Sequence, residues 1–415
     1  MIDREFAHLR ARLAHLRYLL VAQPPWYRDA AGAVWLDRLW ARDLLRHCEY
    51  LADLTVLAPC LPLPDQVPAD FVRLDGKPGL TFRHLPTGRS WSDGLRKLPG
   101  MLRAAIQAVR GADVVHSGAA GWPIPPGLVI NPLAAALGKP LVIVVESAFW
   151  RGDGTRRGRM GRMMGAVTER LARWSVRRAR LSIFTHESYA RDLAQGARGR
   201  VMVAPASWVD EVDILTRADA SAAWAAKPAA PRLLLAARLI EAKGVMVALQ
   251  AMEAAEAQGL PIELDIIGEG PLAPQIQALA ARSRLARLRL LDPVPYGPAF
   301  FRLLGAYHGV LVPSISDEQP RILFDAFAQA VPVLASDTPG HRAAVIPGET
   351  GLRFAPGDSA ALLAVLSEVQ ARPQVLREMG MTARDRAADF THRAMHLSRA
   401  QALTEVLSDP LSVNH

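Results

Sequence analysis

The stretch "PSISDEQPRILFDAFAQAVPVLASDTPG", residues 313–340, decides how the chain is read. Its right half, an apolar helical pattern over 320–330 followed by "PVLAS", reads as a buried helix feeding a buried strand. Its left half places Asp317, Glu318 and Arg321 where that helix begins, and Asp325 inside it. Pro320 suits a first helical position, where its missing N–H costs nothing and its φ is pre-set. An acid just before such a start caps the helix or meets its positive end, which is the plain structural role for Asp317 and Glu318. The preceding strand "GVLVPS" (309–314) makes the helix open at a sheet's carboxyl edge, where α/β sheets hold ligands. Asp325 lies among Ile322, Leu323, Phe324, Ala326 and Phe327, so its carboxylate needs a hydroxyl or a cation as partner.

Outward from this stretch, short apolar runs alternate with longer amphipathic ones, the pattern of parallel sheets wrapped by helices. Strands are expected at 17–22, 54–58, 113–117, 140–145, 181–185 and 200–204. A second series follows at 232–237, 262–268, 288–292, 309–314, 332–336 and 352–356. Helices are expected between them, including 34–51, 159–178, 244–257 and 320–330. The alanine- and proline-rich stretch 218–231 reads as a linker. The expected organisation is α/β, with a first Rossmann-like domain over 1–217, a second over 232–390, and a final helix, 391–408, packing back on the first. An apolar stripe of Ile2, Phe6, Leu9, Leu13 and Leu16 flanked by arginines predicts a first helix, packed on the first domain or lying on a membrane surface.

Composition narrows the classes. At 415 residues the chain exceeds one ordinary core. Cys48 and Cys60 support neither a disulfide framework nor a zinc site, which fits a reducing cytoplasm. The charged N-terminus lacks a signal-peptide core, and no apolar run approaches the ~20 residues that cross a bilayer. The net charge of +9 is compatible with an anionic partner. Nucleic acid is not expected, since stacking-aromatic clusters and nucleic-acid motifs are absent.

The stretch 313–340, with "GETGLRFAPGD" (348–358), resembles the signature of glycosyltransferase family 4, retaining enzymes of the GT-B fold. Asp317 and Asp325 match the family's two acids spaced by seven residues, and Asp317–Pro320 is similar to its sub-pattern with a proline three residues after the first acid. "AARLIEAKGV" resembles the family's "GRL…KG" turn, giving Arg238 and Lys243, and "IIGEGP" matches the next loop, where Gly268 and Gly270 read as turn glycines. The resemblance implies an α/β fold of two facing Rossmann-like domains and a nucleotide diphosphate sugar donor held by the second. It implies that Arg238 and Lys243 neutralise the leaving diphosphate, that Asp317 faces the donor sugar, and that Asp325 accepts from the ribose hydroxyls. Glu318, Arg321, Gly268 and Gly32 join the expected donor-binding set. No "DxD" occurs, so neither a metal nor another cofactor is expected. The chain departs from the family in its shortened acids, in Glu318-Gln319-Pro320 replacing glycines, and in Ala330 and Ala343.

In the first domain, Glu146 stands where the family often has a histidine near the sugar, and is either catalytic or an ordinary loop acid. Residues 156–180 hold nine arginines and one glutamate. They form either a solvated helix with an apolar core stripe or a surface for a lipid-linked acceptor at an anionic membrane. The expected activity is transfer of a sugar to a glycan or lipid-linked acceptor in polysaccharide or glycolipid synthesis, in the cytoplasm or at the inner membrane face. A nucleotide-sugar epimerase and a silent nucleotide-sugar-binding scaffold are the alternatives.

Overall fold

The computed structural model describes residues 2–74, 76–119, 121, 124–151, 158–282, 288–316 and 318–407. Asp317 and the arginines at 156 and 157 therefore lie outside the described residues. The chain divides into two compact units, Met1–Ala204 with Met395–His415, and Pro205–Ala394.

Unit 1 is built on a seven-stranded parallel sheet in the order Arg200–Val203, Leu181–Phe184, Leu141–Val145, Val114–Gly118, Arg17–Val21, Asp53–Ala58, Leu80–His84. Side chains alternate across it as a pleated strand requires. Tyr18 and Leu20 join one apolar cluster with Leu13 and Leu44, while Leu19 joins the other with Met101 and Val176. Phe6, Leu9 and Leu13 of helix Ile2–Leu13 are buried in the first cluster, so this stripe faces the core. The last helix, His392–Leu407, sends Met395, Ala400, Ala402 and Leu403 into that same cluster.

Several local expectations need correction in this unit. The helix expected from residue 34 starts at Arg38, because Val34–Asp37 pairs antiparallel with Trp26–Arg28 and Asp37 caps the helix through Leu39 N and Trp40 N. Those two strands belong to a small four-stranded sheet with Cys60–Pro62 and Phe71–Arg73. Gly32 is the turn residue of the Trp26–Asp37 hairpin: its φ is +87° and its N–H donates to Asp29 O at 3.0 Å. That left-handed conformation is what calls for glycine there. The edge strand Leu80–His84 alternates with polar residues and gave no apolar run to find.

Unit 2 holds a six-stranded parallel sheet in the order Leu288–Leu291, Glu263–Ile267, Arg232–Ala236, Gly309–Val312, Val333–Ser336, Gly351–Phe354. The strand order reverses between Arg232–Ala236 and Gly309–Val312, the switch point where doubly wound sheets open a crevice. Leu233 and Leu235 face one core, Leu234 the other. The stretch 218–231 is not an open linker. Thr216 caps helix Arg217–Ala225 by accepting from Asp219 N, and Trp224 donates to Ala330 O at 2.8 Å. Ala330 itself has φ +57°, the only positive φ among the described non-glycine residues, at the position where the family pattern has glycine. An alanine there costs roughly 1–2 kcal/mol in backbone strain. Helix Pro373–Arg386, unexpected from the sequence, buries Leu376, Met379 and Ala383.

Candidate active site in unit 2

Three loops meet at the carboxyl edge of the unit 2 sheet. After strand Arg232–Ala236 the chain passes Arg238, turns through the 3₁₀ segment Glu241–Lys243, and enters helix Val245–Ala257 at Gly244. Gly244 has φ +66°, and a Cβ there would collide with Pro313 O. Only glycine lets this turn touch the loop after strand Gly309–Val312, and Ile315 N completes the contact by donating to Ala242 O at 3.0 Å. Gly268 (φ +150°) plays the same part for the loop after strand Glu263–Ile267, since its Cβ would strike Ala237 O.

These contacts set the cations. Lys243 Nζ lies 3.1 Å from Glu318 Oε2, with the two side chains 11% and 28% exposed. Arg238 is exposed, two residues past the first strand of the unit, and makes no ion pair among the described residues. Two cations at a strand end and a helix start suit a diphosphate, whose charge each can meet through N–H donors.

The segment around Pro320 differs from its sequence reading. Helix Ile322–Ala328 begins two residues after Pro320, which sits in a turn whose carbonyl accepts weakly from Leu323 N at 3.4 Å. Gln319, one of the residues that displace the family's glycines, pins the loop: its Oε1 accepts from Ala206 N at 3.0 Å. Arg321 stacks its exposed guanidinium 4.8 Å over Trp208. Asp325 is buried at 4% exposure, and Tyr296 Oη donates to its Oδ1 at 2.8 Å. The polar partner that its burial demanded is thus found within unit 2, so burial alone does not argue for a ligand hydroxyl. Tyr296, Trp208 and Gln319 were missed from sequence, because each acts across loops distant in the chain.

Gly32 and Glu146 belong to unit 1. Glu146 is exposed just beyond strand Leu141–Val145, and its carbonyl accepts from Thr185 Oγ1 at 3.3 Å. His116 is buried against Tyr18, whose hydroxyl lies 3.0 Å from its Nδ1. Burial above all, then His47 and Arg399, push its pKa down to about 3. Among the described residues, one group could hold a metal ion by proximity: Asp43, His47 and His396, with ligand atoms within 4.8 Å of one another. Its members already bond each other, His396 Nε2 lying 3.0 Å from Asp43 Oδ1 and His47 Nδ1 lying 2.9 Å from Asp43 O. Arg399, 5% exposed, adds a positive charge felt by His116 and Tyr50 nearby. A dication would have to enter beside that charge, so the group reads as a hydrogen-bonded tie between helices Arg38–Tyr50 and His392–Leu407.

Residues 230–371 match the family described as glycosyl transferases group 1. The chain is a glycosyltransferase. It is 25% identical to glycogen synthase of Mycobacterium tuberculosis over 334 residues, 78% of this chain and 71% of that one. Among solved structures, sucrose-phosphate synthase from Thermosynechococcus elongatus superposes with a TM-score of 0.69 at 19% identity, covering 94% of this chain and 99% of that one. HepE of Anabaena, solved with UDP-glucose, gives 0.65 at 16% identity, covering 95% and 100%. The fold of this glycosyltransferase is GT-B, with two Rossmann-type units.

Proposed function

We propose that this glycosyltransferase retains anomeric configuration and moves a sugar from a nucleoside diphosphate sugar to a glycan or lipid-linked acceptor in polysaccharide assembly. The observation that carries the reading is the pair Arg238 and Lys243 at the switch point of unit 2, inside the matched domain. The two cations take the diphosphate and stabilise the charge that grows on it as the glycosidic bond breaks. Lys243 exchanges its present partner, Glu318, for phosphate oxygens. Asp317 addresses the donor sugar and Asp325 the ribose, roles that follow from the family pattern. The complexes of HepE and the name of the mycobacterial relative support a nucleotide sugar donor and a glucan-like acceptor class. With no "DxD" triplet and two cations in its place, turnover is expected to survive a chelator.

The test is calorimetry and radiolabelled transfer with a panel of UDP- and GDP-sugars, in excess EDTA. Arg238→Ala and Lys243→Ala should each weaken nucleoside diphosphate binding by roughly ten- to a hundredfold, the loss of about 1.5–3 kcal/mol for a charge-assisted contact. Wild-type affinity in both variants would remove the diphosphate assignment. Conversion of donor alone into an epimeric sugar nucleotide would replace transfer by epimerisation, and loss of activity in EDTA with rescue by magnesium would end metal independence.

A further inference from the structure

Three buried polar atoms on adjacent strand ends of unit 2 lack a hydrogen-bond partner among the described residues: Ser316 Oγ, Thr338 Oγ1 and His341 Nε2. Thr338 is 2% exposed and His341 0%. Buried polar groups are nearly always satisfied, so such a set calls for an explanation. All three follow the carboxyl ends of neighbouring strands, Ser316 after Gly309–Val312 and the other two after Val333–Ser336. The two loops are tied together, since Ser336 Oγ donates to Ser314 O. His341 N donates to Thr338 O at 3.1 Å, so both residues belong to one turn. The positive charge of Lys243 reaches the His341 ring, so the set lies within electrostatic range of the diphosphate cation.

The tautomer of His341 limits what can meet it. Its Nδ1 lies 2.6 Å from Ser336 O, and a carbonyl only accepts, so Nδ1 carries the proton. Nε2 is left as a lone pair that takes only an N–H or O–H. A diphosphate presents neither at neutral pH, whereas a sugar presents hydroxyls.

We propose that His341 Nε2, with the Thr338 hydroxyl of the same turn, reads a hydroxyl of the transferred sugar and so helps to set which sugar the enzyme accepts. This rests on the nucleotide-sugar reading above and adds a specificity-determining residue to it. Burial first, and then Lys243, push the His341 pKa down to about 4, so the acceptor persists at neutral pH.

Titration calorimetry on the full chain tests it, using UDP and GDP and the tightest binder among UDP-glucose, UDP-galactose, UDP-N-acetylglucosamine and GDP-mannose. His341→Asn keeps an amide N–H for Ser336 O and places nothing at Nε2. Thr338→Val keeps shape and removes the hydroxyl. Each should lose about three- to tenfold in affinity for the sugar nucleotide, while the free nucleoside diphosphate changes by less than about twofold. Without ligand, Thr338→Val should melt no lower than wild type, because an unbonded buried hydroxyl is replaced by a methyl. Equal effects on nucleotide and sugar nucleotide, or none on either, overturn the proposal and leave the diphosphate site standing. If no nucleotide binds wild type, the donor reading fails and takes this one with it. Should His341→Asn not fold, the same comparison in Thr338→Val decides between these outcomes.

Discussion

Asp325 shows how a residue can be explained twice. Its carboxylate is buried in helix Ile322–Ala328 and already accepts from Tyr296 Oη at 2.8 Å, which suffices for the fold. The family pattern asks more of it, namely the ribose hydroxyls. Asp325→Asn separates the two roles, because asparagine keeps an acceptor oxygen for Tyr296 but loses the charge. If the carboxylate takes ribose hydroxyls, binding of UDP and of UDP-sugars should fall together by roughly ten- to a hundredfold, the worth of hydrogen bonds to a charged group. Thermal stability should fall only slightly. Unchanged UDP affinity would leave Asp325 with its structural role alone. The same logic governs Glu318, whose present contact is Lys243 and whose charge must yield when a diphosphate arrives.

Helix Arg159–Arg178 carries most of the arginines of the basic stretch. Ala172, Ser175 and Val176 are buried, and Met163 and Val167 are exposed at 53% and 38% beside exposed Arg162 and Arg170. The one acid, Glu169, is turned to internal partners, 2.8 Å from both Arg151 and Arg173. The outward face is therefore basic with apolar points, the composition of a surface that meets anionic lipid. On that reading the wild-type chain co-sediments with phosphatidylglycerol vesicles and not with phosphatidylcholine ones. Arg162→Glu with Arg170→Glu should weaken this by at least tenfold, at about 1 kcal/mol per basic residue. Equal partition to neutral vesicles, or an unaffected variant, would return the helix to a solvated face. How far such elements were legible follows from the same physics. Strands Arg232–Ala236, Gly309–Val312 and Val333–Ser336 were readable because their apolar runs are buried on both faces of the sheet, and the strands that carry Asp265, Arg289 and Arg353 kept enough apolar neighbours to be found. The turn that carries Arg238 and Lys243 was readable because its pattern is local in the sequence. The strand Leu80–His84, half exposed, and the four-stranded sheet, made of strands of three or four residues, had no periodic signal to give. Helix Arg217–Ala225 was hidden by alanine and proline, and the unbonded side-chain atoms of Ser316, Thr338 and His341 by depending on which loops touch.

Among the described residues, the buried rings of His116, His308 and His341 are held in the neutral form. Burial is the leading cause in each, bringing His116 down to about 3 and His308 and His341 to about 4. His47, Arg399 and Asp43 also bear on His116, Lys227 and Arg232 on His308, and Lys243 and Asp337 on His341. An unfolded histidine titrates near 6.5. Between that value and the folded pKa the unfolded chain binds more protons, so stability is fully present above 6.5 and drains as pH falls toward 4. Lys227 acts in the same direction at higher pH. Its ammonium sits 3.4 Å from the Trp224 ring centroid and donates to Tyr307 O at 2.6 Å, and burial brings it down to about 7. Its contribution is present above the unfolded value and lost as pH falls through 7. Carboxylates such as Asp113, held at about 2 by its bond to Arg17, add a loss only at still lower pH. The protein should therefore be more stable at pH 8 than at pH 5, by on the order of 1–2 kcal/mol for each of these three histidines. Urea unfolding measured from pH 4.5 to 8.5 should give a midpoint that rises with pH across that range. His308→Gln should flatten the slope between pH 5 and 6.5 by about one proton's worth, whatever it does to stability at pH 8, because Arg232 N still finds an acceptor in place of Nδ1. A midpoint that is level from pH 7 to 5 would mean that these rings take up protons in the folded chain, and the neutral His341 on which sugar reading depends would lose its basis.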